Sequence, residues 1–218
     1  PIGTVSNVLR GLRARLAADG ADELLGPLQL ALDQALFASR IIARIREYTH
    51  SRQPRRDVLD LGRVACESVA LMDWEVQRDG VQVRLDLPRE TLRVQADEVM
   101  LQQVFVNLMR NALDAMRDSG ATAPRLVIAL AAERGMAVLT VRDTGRGLPA
   151  DAPAFVPFQS TKPNGMGIGL NICRSFVELH QGRLWFTPND SLPGSAAPGA
   201  DEARGCTFHV ALPLCSAQ

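Results

Sequence analysis

The chain has 218 residues, of which 46% are hydrophobic and 22% are charged, a balance typical of a globular protein with a sizeable core. Its 24 basic residues match 24 acidic ones, so the net charge gives no indication of nucleic acid or an anionic membrane surface as a partner. Four scattered cysteines without a Cys-x-x-Cys pair argue against a zinc site or a disulfide framework and favour the cytoplasm. Because no apolar run is long enough to cross a bilayer, we expect no direct membrane insertion by this chain.

The first part of the chain contains two amphipathic helical patterns. Apolar residues recur at three-and-four spacing over residues 4–18 and again over residues 28–45. The short break between them predicts an antiparallel hairpin. Since two helices cannot bury apolar stripes this wide, we expect residues 4–52 to form a homodimer as a four-helix bundle. The alternative is a hairpin packed against its own C-terminal domain.

Residues 51–56 combine a proline with clustered arginines and predict a linker. The chain is therefore divided into a dimerisation hairpin over residues 1–54 and a second domain over residues 55–218. In that domain, hydrophobic periodicity predicts helices over 59–78, 97–117 and 167–180, and strands over 81–87, 92–96, 126–132, 136–142, 183–187 and 206–212. The strands over 126–132 and 136–142 are joined by Glu133-Arg134-Gly135, which predicts a β-hairpin. Residues 189–204, rich in Ser, Pro, Gly and Ala, are expected to be a flexible insertion.

One face of the helix predicted over residues 97–117 is polar. Gln103, Asn107, Asn111 and Asp114 step by four, four and three residues and share that face. The rest of the helix is apolar, and a buried amide without a partner would cost about 1–3 kcal/mol. An amide oxygen can complete the octahedral shell of Mg²⁺ without adding negative charge beside a triphosphate. Taken alone, the pattern also fits two asparagines that cap backbone groups inside a core.

Asp143 follows a predicted strand and precedes Thr144-Gly145-Arg146-Gly147, which places a carboxylate at a sharp turn. A carboxylate only accepts hydrogen bonds, so facing a purine it would accept from the amino group of adenine and repel the carbonyl oxygen of guanine. The glycines allow the backbone to approach closely. The turn alone is weak evidence, because Asp and Gly are ordinary turn residues.

A long loop leads from this turn to Gly165-Met-Gly167-Ile-Gly169, which opens the next predicted helix. Loops of roughly twenty residues are uncommon in compact domains unless they are functional. The exposed amides and the dipole of a helix N-terminus suit phosphate oxygens. The loop also carries Lys162, the only lysine in a chain with 23 arginines, where a flexible ammonium group could reach a terminal phosphate.

In this order, the three segments resemble the N, G1 and G2 boxes of the ATP-binding domain of sensor histidine kinases, which shares its fold with the gyrase and Hsp90 ATPases. Residues 155–162 are similar to the F box of the kinase lid, and Gly205-Cys206-Thr207 is similar to the final Gly-Thr box. The resemblance covers residues 57–214. Its finer details look most like the oxygen-sensing and nitrogen-regulatory branch of these kinases.

The resemblance implies an α+β fold, a two-layer α/β sandwich of the Bergerat type, preceded by the dimerising hairpin. It implies ATP and Mg²⁺ as cofactors, with Asn111 as the metal ligand. The nucleotide-binding residues that it implies are Asn107, Arg110, Asn111, Asp114, Asp143, Gly145, Gly147, Lys162, Gly165, Gly167, Gly169, Leu170 and Thr207. His180-Gln181-Gly182 is similar to the family's His-Gly-Gly, and we interpret it as a histidine at a helix C-terminus followed by a terminating glycine.

By the same resemblance, the chain is the catalytic core of a protein-histidine kinase that transfers the terminal phosphoryl group of ATP to a histidine and thence to an aspartate of a response regulator receiver domain. Pro1-Ile2 resembles the end of the phosphoacceptor segment, so the acceptor histidine is expected upstream of Pro1 and autophosphorylation of this chain is not expected. Two alternatives stay open. One is a nucleotide-binding pseudokinase or dimerisation module, and the other is a serine kinase or ATPase of the same superfold.

Overall fold

The structure, a computed structural model, describes residues 55–120, 122–156, 169–189 and 205–215. All of them belong to the compact unit Pro54–Gln218. The hairpin expected over residues 4–52 lies outside the described residues, as do residues 157–168, which include most of the predicted F box, and residues 190–204. The division of the chain into two domains and its dimerisation therefore stay predictions.

The described residues form four helices and seven strands. In chain order they are β1 (Asp57–Asp60), α1 (Leu61–Leu71), α2 (Asp73–Arg78), β2 (Gln82–Asp86), β3 (Arg93–Ala96), α3 (Glu98–Ser119), β4 (Arg125–Glu133), β5 (Met136–Asp143), α4 (Gly169–Leu179), β6 (Arg183–Pro188) and β7 (Cys206–Pro213). Most of these elements match the helices and strands predicted from periodicity, with shifts of one or two residues at their ends.

Five strands form the main sheet in the order β2-β4-β5-β7-β6. Strand β2 pairs with β4 in parallel, and the other neighbours pair antiparallel. Alternate side chains of β4, namely Leu126, Ile128 and Leu130, are buried on the face covered by helices. The predicted two-layer α/β sandwich is therefore confirmed for this domain. Strands β1 and β3 form a separate antiparallel pair.

Helix α3 lies at the centre of the helical layer and begins where the sequence predicts. The Asp97 carboxylate accepts from the Met100 backbone N–H at 3.1 Å and caps the helix. The buried His180 also holds the start of this helix, because its Nε2 accepts from the Asp97 backbone N–H at 3.0 Å. Its Nδ1 lies 2.7 Å from the Phe176 carbonyl oxygen. These two contacts assign a neutral imidazole that carries its proton on Nδ1. His180 thus joins the end of α4 to the start of α3.

The helix predicted over residues 59–78 is wrong in two respects. Leu59 pairs with Val94 in the β1–β3 ladder, and the Asp60 side chain accepts from the Gly62 backbone N–H at 3.0 Å, so the helix begins only at Leu61. The segment then breaks at Met72, between α1 and α2. A four-residue strand pairing with a segment more than thirty residues away leaves no periodic signal of its own in the sequence.

The predicted hairpin between β4 and β5 is confirmed. Arg134 and Gly135 have φ values of 50° and 81°, and Glu133 pairs with Met136. Two central residues with positive φ are typical of the tight turn that matches the twist of a two-residue β-hairpin.

The end of α4 differs from the expected terminating glycine. The left-handed position is occupied by Gln181, with φ of 60°, and the Gly182 backbone N–H donates to the Val177 carbonyl at 2.9 Å. Gly182 is required for another reason: a Cβ there would overlap the Ala211 carbonyl oxygen and lie 2.9 Å from a Val177 methyl carbon. The glycine therefore allows β7 to approach the end of the helix.

Gln181→Gly should raise the free energy of unfolding by about 0.5–1 kcal/mol. The relief of left-handed strain in the folded state outweighs the cost of the greater conformational entropy that glycine gives to the unfolded chain. Both tryptophans, Trp74 and Trp185, lie in this domain, so urea unfolding followed by their fluorescence reports on it. Ser175→Gly, on the exposed side of α4, is the matched control and should lower stability. A Gln181→Gly chain that unfolds at lower urea than the wild type would contradict the strain assigned to Gln181.

Candidate nucleotide-binding site

The most unusual group of the domain is the carboxylate of Asp143, at the end of the central strand β5. Its side chain is buried, with 2% exposure, and its Oδ1 accepts from the Gly145 backbone N–H at 2.8 Å. Burial raises the pKa of Asp143 from 3.8 to about 6, although hydrogen bonds from the Gly145 and Cys206 backbones act in the opposite direction. An acid kept in a site that disfavours its charge is typical of a functional position.

The two glycines of the turn after Asp143 are required by the packing of the protein's own backbone. A Cβ on Gly145 would lie 2.7 Å from the Ala115 carbonyl carbon of α3. Gly147 has φ of 74°, and a Cβ there would lie 2.9 Å from the Gly205 carbonyl oxygen. The turn is thus held between α3 and the start of β7. The close approach predicted for these glycines is real, and its partners are protein atoms.

Asn189 is a site residue that sequence reasoning missed. It was assigned to a flexible insertion, but its side chain is 1% exposed, donates through Nδ2 to the Asp143 carbonyl at 2.7 Å, and accepts at Oδ1 from the Thr207 hydroxyl at 2.8 Å. The Ser-, Pro- and Gly-rich residues that follow it hid this role, and no local pattern marks it. Thr207, predicted to contact the nucleotide, directs its hydroxyl proton to Asn189.

The polar face of α3 is half-buried rather than enclosed in the core, which corrects the expectation of amides in a buried setting. The Asn107 side chain hydrogen-bonds to the thiol of Cys173 on α4, whose pKa burial raises to about 12. Arg110 is exposed and forms an ion pair with Glu75 of α2 at 3.4 Å, while Asp114 pairs with Arg117 at 3.4 Å. A ligand can therefore reach this face.

The structure brings several predicted residues together. Ala115, where the Asp143 turn packs, lies one helical turn from Asn111, and Asn107 contacts α4. Helix α4 begins at Gly169, and Leu170 is half-buried. Lys162, Gly165 and Gly167 lie outside the described residues.

The first aromatic residue of the predicted lid, Phe155, is anchored on the domain. Its ring centroid lies 6.2 Å from that of Phe186 and 6.5 Å from that of Phe208, and the Arg174 guanidinium lies 5.8 Å from its centre. The chain that leads into the lid therefore starts from the β6–β7 side of the site.

The donor set of α3 suits a metal ion that arrives with its phosphates. Within the part of the chain that the structure describes, no group of three or more His, Cys, Asp or Glu side chains could hold a metal. Mg²⁺ is commonly held by one or two protein oxygens together with substrate phosphates and waters. The side-chain oxygen of the half-buried Asn111 is suited to be such a protein ligand of Mg²⁺.

A mixed five-stranded sheet under helices, with a buried carboxylate at the end of its central strand and an amide-bearing helix beside it, defines a nucleotide-binding α/β sandwich. Residues 96–216 match the family described as histidine kinase-, DNA gyrase B- and HSP90-like ATPases. Because this match covers more than half of the chain, the chain belongs to that family. The resemblance drawn from the motifs is confirmed, and ATP is the nucleotide of the family.

Two relatives of the chain are sensor proteins. The chain is 38% identical over 219 residues to the sensor protein FixL of Bradyrhizobium diazoefficiens, covering 98% of this chain and 41% of that protein. It is 37% identical over 184 residues to the C4-dicarboxylate transport sensor protein DctS of Rhodobacter capsulatus, covering 83% of this chain and 26% of that protein. The chain thus spans less than half the length of these relatives.

Solved structures show the same fold. The catalytic domain of histidine kinase ThkA matches with a TM-score of 0.59 and 24% identity, over 72% of this chain and 95% of that one. The mycobacterial sensor histidine kinase MprB matches with a TM-score of 0.59 and 23% identity, over 73% of this chain and 97% of that one. The described domain therefore has the fold of histidine kinase catalytic domains. None of the described helices is both long and apolar enough to cross a membrane.

Proposed function

We propose that the chain is the ATP-binding catalytic core of a two-component sensor histidine kinase. It would transfer the terminal phosphoryl group of ATP to a histidine and thence to an aspartate of a response regulator. The observation that carries the proposal is the buried carboxylate of Asp143, which offers only acceptors where a purine edge would lie, inside a domain of the kinase-type ATPase family.

The site residues have separate roles in this proposal. Asp143 selects adenine by accepting from its amino group. Asn111 holds Mg²⁺, which when bound neutralises charge on the phosphates, and Asn107 contacts phosphate or the waters of the ion. The amides at Gly165, Gly167 and Gly169, together with Lys162, bind the phosphates. Phosphoryl transfer of this kind depends mainly on positioning and charge neutralisation, so these residues hold the terminal phosphate in line with the acceptor.

The partners belong to the proposal as well. A second copy of the chain would pair through residues 4–52, and a receiver domain would accept the phosphoryl group. The structure of ThkA in complex with the response regulator TrrA matches this chain with a TM-score of 0.65 and 20% identity, covering 98% of this chain and 59% of that one. A cytoplasmic location, as expected from the cysteine content, suits an enzyme that uses ATP.

Calorimetric titration with MgATP and MgGTP tests nucleotide recognition. We expect ATP to bind in the micromolar range or more weakly, and GTP to bind at least about tenfold more weakly than ATP, a difference of about 1.4 kcal/mol. Asn111→Asp should keep some nucleotide contact but weaken the binding of MgATP and disturb the metal site, because it adds negative charge beside the phosphates. Gln82→Glu, which makes the same charge change on the edge strand β2, is the control and should bind like the wild type. Equal affinity for ATP and GTP would refute the adenine assignment.

The transfer step is tested with radiolabelled ATP on the chain extended by the phosphoacceptor segment that the motif places upstream of Pro1. Acid-labile, base-stable label is expected there and should be lost with Asn111→Asp. Absence of such label from a chain that binds ATP would favour a nucleotide-binding module without transfer.

A further inference from the structure

One buried side chain connects the ends of three strands beside the proposed adenine site. Asn189 directly follows β6, donates to the Asp143 carbonyl at the end of β5, and accepts from Thr207 near the start of β7. Its own backbone N–H donates to the Gly205 carbonyl at 3.2 Å.

The ladder between β5 and β7 does not extend to Asp143. Its last pair is Arg142 with Thr207, one residue before the carboxylate, whereas on the other side Asp143 still pairs with Leu126 of β4. Beyond that point, the side chain of Asn189 holds the Asp143 carbonyl, and the Gly145 and Cys206 backbones hold its carboxylate. The main chain and the side chain of Asp143 are therefore fixed separately.

The chemistry of the contact suits an amide. A donor must face the Asp143 carbonyl and an acceptor must face the Thr207 hydroxyl, and asparagine offers both on two different atoms of one short side chain. Aspartate in its place would present a second acceptor to the carbonyl. Space for the amide is reserved by Gly205, because a Cβ there would lie 2.6 Å from the Asn189 Nδ2.

We infer that Asn189 is a positioning residue for adenine recognition, which orients the Asp143 carboxylate through its main-chain carbonyl and so sets the preference for adenine over guanine nucleotides. The inference rests on the proposed role of Asp143. A loss of orientation should affect the purine contact and leave the binding of phosphates through α3 and the start of α4 unchanged.

The test compares the affinities of the full chain for MgATP, MgGTP and magnesium tripolyphosphate in the wild type, Asn189→Ala and Asn189→Asp. Both variants should bind ATP at least about tenfold more weakly, a loss of about 1.4 kcal/mol, with an ATP-to-GTP ratio close to one and an unchanged affinity for tripolyphosphate. A merely structural role would weaken all three ligands in the same proportion. That outcome, or an unchanged ratio in a folded variant, would overturn the inference.

Ser68→Ala is the matched control. Ser68 is fully buried on α1 and donates to the Val64 carbonyl at 2.8 Å, so its loss also removes a buried polar group. It should lower stability and keep the ATP-to-GTP ratio of the wild type. A ratio that falls equally in Ser68→Ala would count against a specific role for Asn189.

A measurement on the unaltered chain covers the case in which neither variant folds. In nitrogen–proton correlation spectra, the side-chain amide signals of Asn189 should move when MgADP is added and stay in place with tripolyphosphate. An absence of movement with MgADP would overturn the inference. If the wild type shows no preference for ATP over GTP, the adenine assignment itself is wrong. If the wild type prefers ATP and both Asn189 variants keep that preference, only the role of Asn189 is refuted.

Discussion

Asp143→Asn is expected to abolish measurable ATP binding and, at the same time, to make the nucleotide-free domain more resistant to urea. Binding is lost because the Asn side chain can present an amino group where the carboxylate accepts from adenine. Stability rises because burial disfavours the charge: the difference between 3.8 and about 6 in the pKa of Asp143 corresponds to at most about 3 kcal/mol at neutral pH. The Asn oxygen can replace only part of the backbone hydrogen bonding, so a gain of about 1–3 kcal/mol is expected.

The pH dependence has a definite sign. The folded pKa of Asp143 is raised, so protonation stabilises the fold fully below pH 3.8, and this contribution is lost as the pH rises through about 6. The stability difference between Asp143→Asn and the wild type should therefore be small at pH 4 and reach its full size above about pH 6. Urea unfolding followed by tryptophan fluorescence at several pH values measures it, with Asp118→Asn at an exposed site as the control.

The same ionisation should appear in binding. Because adenine needs the ionised carboxylate, the affinity of the wild type for ATP should fall as the pH drops below about 6.

An Asp143→Asn chain that is less stable than the wild type at neutral pH would contradict the stability prediction. It would show that the backbone hydrogen bonds to the carboxylate outweigh the cost of burying its charge.

Features set by neighbouring residues were accessible from the sequence. The start of α3 was predicted at Asp97 from the helical pattern that begins there, and the structure shows that the Asp97 carboxylate caps the helix. The β4–β5 hairpin was predicted because two alternating apolar runs flank Arg134-Gly135. The motifs around Asn111 and Asp143 indicated the family because their residue types follow from the chemistry of the nucleotide.

Features set by distant residues were not accessible. Strand β1 exists because Leu59 meets Val94, and Asn189 is ordered because Asp143 and Thr207 meet it in space. The glycine at the end of α4 is Gly182, where the approach of β7 leaves no room for a Cβ, so the adjacent left-handed position falls on Gln181. In each case a tertiary contact overrides the local preference, and contacts between distant residues cannot be predicted from the local pattern of a single sequence.

Gly205→Ala is expected to cause the largest loss of stability among the single changes considered, and to remove ATP binding with it. The residue has φ of 119°, and a Cβ there would overlap the Asp143 carbonyl oxygen and lie 2.6 Å from the Asn189 Nδ2. The methyl group can be accommodated only if the end of β5 and the Asn189 side chain both move. Overpacking of this kind, together with backbone strain, should lower the free energy of unfolding by about 3 kcal/mol or more.

Gly135→Ala separates the two causes of that loss. Gly135 also has a positive φ, of 81°, but a Cβ there meets nothing within 4 Å, and the residue lies at the far end of β5. The free energy of unfolding of Gly135→Ala should therefore fall only by the strain of a left-handed alanine, about 1–2 kcal/mol, and the variant should bind ATP normally. Urea unfolding and calorimetric titration of both variants give the comparison. Equal losses in the two variants would mean that β5 shifts freely at Asp143, and the orientation of the carboxylate would then have to come from the nucleotide rather than from the fold.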